Sequence, residues 1–230
     1  MVKSYTLLLA VLATAITGCQ LKKLCAKKPP AAPIVSFRSG GGGAPLRRIA
    51  MLPPYCNQQT ASSVNGLEMT FQAELAKTGL FEVVPITHST MEKHFGHPQI
   101  SSVDIIPGDF LFRLRTEYGV EGVLFIDITH YFPYQPISMG IRVKLVDATT
   151  GKIRWAFDHL FDSSNPATSE DAQKFYLKNS HDTYPVPTEG NPILQSPIRF
   201  SKYVAYEVFR SLENAPQGPE NAKVVVQTAD

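Results

Sequence analysis

The residues of this sequence that could do chemistry are few, and the most suggestive are two histidines beside a carboxylate. His94 and His97 would share one face of a helix, with Glu92 close by, and such spacing can bind zinc. Gly96 and Pro98 end any helix at this point, so the three side chains would not surround one ion. We therefore expect ordinary surface histidines and no metal site.

A third histidine, His159, follows Asp158 in a segment that alternates like a strand. Adjacent strand residues point to opposite faces, so Asp158 cannot orient the imidazole as a catalytic partner would. His159 has the parity of Trp155 and Phe157, which predicts a hydrogen-bonded histidine at the rim of the core.

Larger catalytic motifs are also missing from the sequence. It contains no nucleophile elbow, phosphate-binding loop, zinc-binding helix or dinucleotide fingerprint. We predict that the protein is not an enzyme and needs no cofactor. The alternative from the enzyme class is an anchored hydrolase whose catalytic residues form no motif visible in the sequence.

The first 18 residues have the composition of a secretory signal. Lys3 supplies a positive start and residues 7–13 a short apolar core, well below the roughly 20 residues that cross a bilayer. Ile16-Thr17-Gly18-Cys19 resembles the lipobox of bacterial lipoproteins. The resemblance implies cleavage before Cys19 and a diacylglyceryl thioether on its sulfur, with Gln20 favouring the periplasmic face of the outer membrane. An ordinary signal peptide with an incidental cysteine is the alternative.

Charge is distributed unevenly along the chain. Eight basic residues and no acidic residue precede Glu68, whereas 14 basic residues and all 20 acidic residues follow from there on. A basic segment beside a lipid anchor favours anionic headgroups. Nucleic-acid binding is the competing interpretation of such a basic run, and export of the chain argues against it.

The remaining cysteines, Cys25 and Cys56, stand in no CxxC spacing, so neither a redox motif nor a zinc motif is indicated. In an oxidising compartment the two could form a disulfide. The sequence does not decide whether they pair.

Apolar periodicity and turn residues predict the element order β-α-β-α-α-β-β-β-α. Residues 19–46 are predicted to be a lipidated, basic, Pro/Gly-rich tether, residues 47–213 a single α/β domain, and residues 214–230 a flexible tail. Residues 162–197 are rich in Asn, Pro, Ser and Asp and are predicted to form a long surface excursion. The strands are expected at 49–52, 81–84, 123–128, 141–145 and 153–157, and the helices at 62–78, 89–95, 110–118 and 197–212. We predict a mixed sheet with an antiparallel half packed against helices.

Four segments of this domain resemble the CsgG-like and TolB-N-terminal-like periplasmic proteins. Residues 48–54 resemble their opening strand, 74–84 their helix-to-strand step, 118–125 a later strand, and 142–156 their R-L-V-D-x-x-T-G-x-I-x-W hairpin. The resemblance implies a lipid-anchored α/β domain that serves envelope assembly. Relatives include the curli secretion channel, activators of cell-wall synthases and ring-forming export accessories.

The curli channel builds its barrel from two amphipathic hairpins, and each barrel strand needs about 9–11 alternating residues. The connection between His130 and Gly140 is too short and too rich in proline for that, and residues 162–197 do not alternate. A channel subunit is therefore the second alternative.

Two surfaces are predicted to bind partners. The first is the aromatic loop that contains Tyr131, Phe132 and Tyr134, because exposed aromatic side chains on a proline-stiffened loop resemble interface anchors. The same side chains could instead fold over the sheet edge. The second is the last helix, where Tyr206 and Phe209 lie opposite the core stripe.

The leading hypothesis is a non-catalytic, membrane-anchored lipoprotein that scaffolds or assembles a machine of the cell envelope. Its expected partners are the membrane, through lipid on Cys19, other envelope proteins, and copies of itself, with a homo-oligomeric ring as one arrangement. Nucleic acid and metal are not expected.

Overall fold

The computed structural model describes residues 35–39, 44–56, 66–179, 191–214 and 217–218. The strands are β1 (Val35–Ser39), β2 (Arg48–Met51), β3 (Tyr55–Cys56), β4 (Glu82–Pro85), β5 (Gly122–Phe132), β6 (Ser138–Asp147), β7 (Ile153–Asp162) and β8 (Gln217–Gly218). The helices are α1 (Leu67–Lys77), α2 (His88–Phe95), α3 (Phe110–Tyr118), α4 (Pro166–Asn179) and α5 (Pro197–Asn214), and a 3-10 helix spans Pro192–Gln195.

The strand β5 lies between the two halves of one mixed sheet. It is parallel to β2 and β3 on one side and antiparallel to β6 on the other, and β7 and β1 continue the antiparallel half. The full order is β4-β2-β5-β6-β7-β1-β8, with β3 added to β5. The predicted fold class, a mixed sheet with an antiparallel half packed against helices, is confirmed.

Each face of the sheet has its own apolar core, because successive strand residues point to opposite sides. On one face, Ile126 and Val143 belong to a core that includes buried side chains of α1, α4 and α5. On the other face, Val123 and Phe125 belong to a core with α2 and α3. These are called the α5 face and the α3 face below.

The two ends of the sheet differ. The end that carries the β5–β6 turn, at residues 133–137, is called the distal end. Close to this end, β5 has a bulge at Thr129. Gly140 lies opposite that bulge, and a Cβ at this position would come within 2.6 Å of Thr129 Oγ1. A glycine is therefore required for the bulge and β6 to approach each other.

Two segments differ from their predictions. The stretch predicted as a long surface excursion contains α4, whose Ala172 and Phe175 are buried in the core. The helix begins where the Asn165 side chain accepts a hydrogen bond from the Ala167 N–H at 2.9 Å, with Pro166 at the first position. The region predicted as a tether contains β1, which pairs with β7.

Helix starts also differ from the predictions in detail. The N-cap of α2 is Thr87, whose Oγ1 accepts from the Thr90 N–H at 3.2 Å, rather than Ser89. Asp109 directly precedes α3, where a capping side chain would stand, but its carboxylate lies 3.8 Å from Arg113 instead of accepting a backbone N–H. None of the helices in the described ranges is both long and apolar enough to cross a bilayer.

Candidate functional site

The predicted aromatic loop divides between the core and the surface. Tyr131 packs against the α5-face core, and burial raises the pKa of its hydroxyl. Phe132 and Tyr134 are exposed at 44% and 71%, and their rings meet edge to face at 5.7 Å between centroids. The latter two are therefore exposed to a partner, whereas Tyr131 is partly buried.

Polar contacts fix the backbone that carries these two rings. Gln135 Nε2 donates to the Leu194 carbonyl at 3.1 Å, which ties the turn to the 3-10 helix. The Ser163 N–H donates to the Ile137 carbonyl at 2.9 Å, and Ile137 itself is buried. The Gln135–Pro136 peptide bond is cis. The turn thus presents its aromatic side chains from a position held by two neighbouring segments.

The distal end of the α3 face carries further exposed apolar surface. In the described ranges β1 pairs with β7 as far as Asp158, and β3 pairs with β5 as far as Ile128. The three central strands, β5, β6 and β7, therefore extend beyond β1 and β3 at the distal end. Phe132 points to this face because Tyr131 points to the other. Leu160, which pairs with Gly140, is exposed on the same face.

The two residues predicted on the second face of the last helix have different environments. Phe209 is 1% exposed and meets Phe71 of α1 edge to face at 6.1 Å. This differs from the prediction, because α5 packs on α1 as well as on the sheet and covers Phe209. Tyr206 remains partly exposed, between the Phe175 ring at 4.8 Å and the Arg210 guanidinium at 5.6 Å.

Tyr206 separates two surface concavities, which together are called the Tyr206 groove. The concavity towards α1 measures about 210 Å³ and includes Glu74 and Lys77 in its lining. The concavity towards α4 measures about 260 Å³ and includes Lys174. Tyr206 and Arg210 line both. The groove thus combines an aromatic centre with a rim of both charge signs.

Glu207 gives the groove a carboxylate that burial perturbs. Burial raises the pKa of Glu207, the Arg210 charge and hydrogen bond oppose the shift, and Asp171 adds to it. The Arg210 Nη2 donates to Glu207 Oε2 at 2.6 Å. Arg210 is therefore held beside Tyr206 by a short charge-assisted hydrogen bond.

A buried polar cluster on the α3 face was not predicted. Asp127, 2% exposed in an apolar strand, accepts from Ser101 Oγ at 3.0 Å, from Ser102 Oγ at 2.6 Å and from the Ser102 N–H at 2.9 Å. Lys144 Nζ donates to the Ser102 carbonyl at 2.7 Å. These contacts hold the loop between α2 and α3 on the sheet. Asp127 is the one charged residue within the apolar run 123–128, and this was the sequence signal that could have indicated the cluster.

Ionisation in this cluster follows its burial. Burial raises the pKa of Asp127, while the hydrogen bonds from both serines and the Arg142 charge oppose the shift. Burial likewise lowers the pKa of Lys144, and the carboxylate of Asp127 opposes that shift. Both serine hydroxyls are buried and bonded to the carboxylate, so the arrangement is structural.

The described histidines, which include His94, His97 and His159, belong to no candidate metal site. Within the described ranges no three His, Cys, Asp or Glu side chains are grouped so that they could hold an ion. His94 Nδ1 lies 3.4 Å from Glu117 Oε2, and Gly96 ends α2 with φ 74° as expected. His159 meets the Phe161 ring edge to face at 4.6 Å, at the rim of the core.

Of the three cysteines, Cys56 lies in the described part of the chain. Cys56 is buried, and burial raises the pKa of its thiol, so it has little thiolate character. Cys19 and Cys25 lie outside the described residues. Lipidation of Cys19 therefore stays a prediction, and the described residues do not decide whether Cys25 pairs with Cys56.

No protein-family model and no curated protein matches this sequence. The PelC dodecamer from Paraburkholderia phytofirmans is 14% identical, with a TM-score of 0.40 over 60% of this chain and 87% of its own. Lipoprotein GNA1162 from Neisseria meningitidis is 19% identical, with a TM-score of 0.39 over 52% and 85%. The hypothetical protein CT253 from Chlamydia trachomatis is 14% identical, with a TM-score of 0.39 over 73% and 95%. Such likeness is too distant to transfer a function, and the CsgG-like resemblance stays a prediction.

Proposed function

We propose that this protein is a non-catalytic, membrane-anchored lipoprotein that helps to assemble a machine of the cell envelope. Lipid on Cys19 holds the chain at the membrane, and the domain binds a second envelope protein. Catalysis has no part in this proposal, which rests on binding alone.

The Tyr206 groove is the observation that carries the proposal. Tyrosine and arginine are the residues most enriched at energetic centres of protein interfaces, together with tryptophan. Here the Arg210 guanidinium lies over the Tyr206 ring at 5.6 Å, and a concavity opens on each side. A partner can therefore cover the ring from two sides while its own charges meet the rim.

The rim supports a protein partner more than a small ligand. Lys77 pairs with Glu74 at 2.6 Å, and Lys174 pairs with Asp171 at 3.0 Å. A polar, solvent-accessible rim around a largely apolar centre is the usual anatomy of a protein interface. Both concavities are smaller than the roughly 300–1,000 Å³ of a typical small-molecule site.

Tyr206→Ala in the intact lipoprotein tests the proposal. Loss of an interface centre of about 2 kcal/mol weakens binding about 30-fold, so the variant should no longer co-purify with its partner from detergent-extracted membranes. Tyr118→Ala is the matched control, because Tyr118 is also a partly exposed tyrosine but lies on the α3 face. Equal recovery of the partner with both variants would contradict the proposal.

Self-association is the second form of this proposal. If copies of the chain form a ring, the mass of the purified protein should rise to a fixed multiple of the monomer with increasing concentration. A protein that stays monomeric throughout would exclude the ring and leave binding to another protein as the proposal.

A further inference from the structure

We propose that the distal end of the domain rests on an anionic membrane surface and inserts Phe132, Tyr134 and Ile198 into its interfacial layer. This inference goes beyond the proposed function, because it concerns a different surface from the Tyr206 groove. It assigns the aromatic turn to lipid and leaves the groove to a protein.

Three exposed apolar side chains lie at this end, two at the β5–β6 turn and one at the start of α5. Phe132 and Tyr134 project from the β5–β6 turn. The turn is bonded to Leu194 through Gln135, and Ile198, 62% exposed, follows four residues later in the first turn of α5. Aromatic side chains at protein surfaces that contact bilayers occupy the headgroup layer. An aliphatic side chain beside them adds to the apolar area that enters it.

The direction of α5 places its first turns at the distal end. Phe161, near the distal end of β7, meets the ring of Tyr203 at 5.8 Å. At the other end of the helix, the Leu212 carbonyl accepts from Arg38, which pairs with Trp155 near the start of β7. The helix therefore starts beside the distal turn and runs away from it.

Two exposed cations stand beside Ile198 at this end, while Glu170, exposed in the first turns of α4, carries the opposite charge and lies 3.9 Å from Lys174. Arg199 and Lys202 are exposed in the first turns of α5. No acidic residue occurs from 129 to 141 or from 191 to 206. Asp162, at the end of β7, is partly buried and accepts from the Ser164 N–H at 2.8 Å. Exposed cations beside inserted apolar side chains favour anionic headgroups.

The path of the chain brings this end towards the anchor. β1 is antiparallel to β7, and its first residue, Val35, pairs with Asp158, four residues before the end of β7. The N-terminal end of β1 thus faces the distal side. Cys19 lies sixteen residues earlier in sequence, a length of chain that spans at most about 55 Å. A lipid on Cys19 therefore keeps the distal end within reach of the bilayer.

Vesicle flotation tests the inference. The chain from residue 19 onward, with Cys19→Ser so that no lipid anchors it, would be mixed with vesicles of phosphatidylglycerol and phosphatidylethanolamine. We expect it to float with these vesicles and not with phosphatidylcholine vesicles. Phe132→Ser with Tyr134→Ser should weaken binding at least tenfold, and Arg199→Gln with Lys202→Gln should weaken it about fivefold per charge.

Matched control variants distinguish insertion of the distal side chains from non-specific adsorption of the protein to vesicles. Phe112→Ser removes a phenylalanine that is 64% exposed on α3, and Arg115→Gln with Lys93→Gln removes two exposed cations from α3 and α2. Both controls should bind vesicles as the parent does.

Two results would overturn the inference: no flotation of the parent chain, or equal losses in the control and distal variants. Circular dichroism of each variant shows whether it is folded, and a distal variant that unfolds would be replaced by Tyr134→Ser alone. Failure here leaves the proposed function untouched, because co-purification through Tyr206 is measured separately.

Discussion

Phe209→Ala and Tyr206→Ala should have different consequences, although the two residues lie three apart on α5. Phe209 is 1% exposed and packs against Phe71, whereas Tyr206 is partly exposed at the groove. The first substitution should therefore cost stability and the second should cost binding. Comparing the two substitutions therefore distinguishes an aromatic side chain that stabilises the fold from one that is exposed to a partner.

The structure sets the size of the difference. Replacing a fully buried phenylalanine by alanine loses transfer free energy and leaves a cavity, together about 3–5 kcal/mol, which includes about 0.5–1.5 kcal/mol from the edge-to-face contact with Phe71. Tyr206 loses one aromatic contact and one cation–π contact at a partly exposed site, about 1 kcal/mol. For a domain of this length each kcal/mol lowers Tm by about 2–4 °C.

Thermal and urea unfolding of the purified chain, followed by circular dichroism, measures both effects. Phe209→Ala should lower Tm by about 6–20 °C, and Tyr206→Ala by less than about 4 °C. Phe209→Leu, which keeps most of the volume, should fall between them. Similar losses for both alanine variants, or a loss below about 1 kcal/mol for Phe209→Ala, would refute the packing of α5 between α1 and the sheet.

Four further predictions concern the rest of the chain. Asp127→Ala should lower the free energy of unfolding by about 2–4 kcal/mol in urea titrations, because the Ser102 N–H and both serine hydroxyls lose a buried acceptor. Because burial raises the pKa of Asp127, the folded state binds the proton of this carboxyl more tightly than the unfolded chain does. The contribution of this group to the free energy of unfolding is therefore complete below the unfolded pKa of about 4 and is lost as pH rises through the folded pKa. Asp127→Asn should lack this pH-dependent loss. Gly140→Ala should cost about 1–3 kcal/mol through overlap with Thr129, and a neutral result would place the bulge elsewhere. Cys19→Ser should release the chain from membranes in fractionation, and retention in the membrane pellet at high salt would contradict lipid anchoring.

Local signals predicted the elements that depend on few neighbours. Residues 142–156 resemble a hairpin in the sequence and form one in the structure. In its turn Asp147 Oδ1 accepts from the Thr149 and Thr150 N–H groups at 2.9 Å, and Gly151 has φ 67°. The apolar stripes of α3 and α5 are buried as their periodicity predicts. These features are encoded within a few residues of each other.

Features that depend on distant neighbours were missed. Periodicity showed that α5 has apolar residues on two sides but could not show that α1 covers Phe209. The helix α4 was overlooked because its composition is polar, although Asn165-Pro166 is a recognisable helix start. No sequence motif marked the hydrogen bonds of Asp127, because its partners lie about 25 residues away in the chain. The groove itself is formed where three helices meet, so no single segment predicts it.

Site-specific photocrosslinking from position 206 in intact membranes tests the central claim most directly. A photoreactive side chain replacing Tyr206 should form one discrete adduct with another envelope protein or with a second copy, and the same group at Tyr118 should form none. No adduct from position 206, or the same adducts from both positions, would contradict the account of this protein as an anchored lipoprotein that binds its partner through the groove.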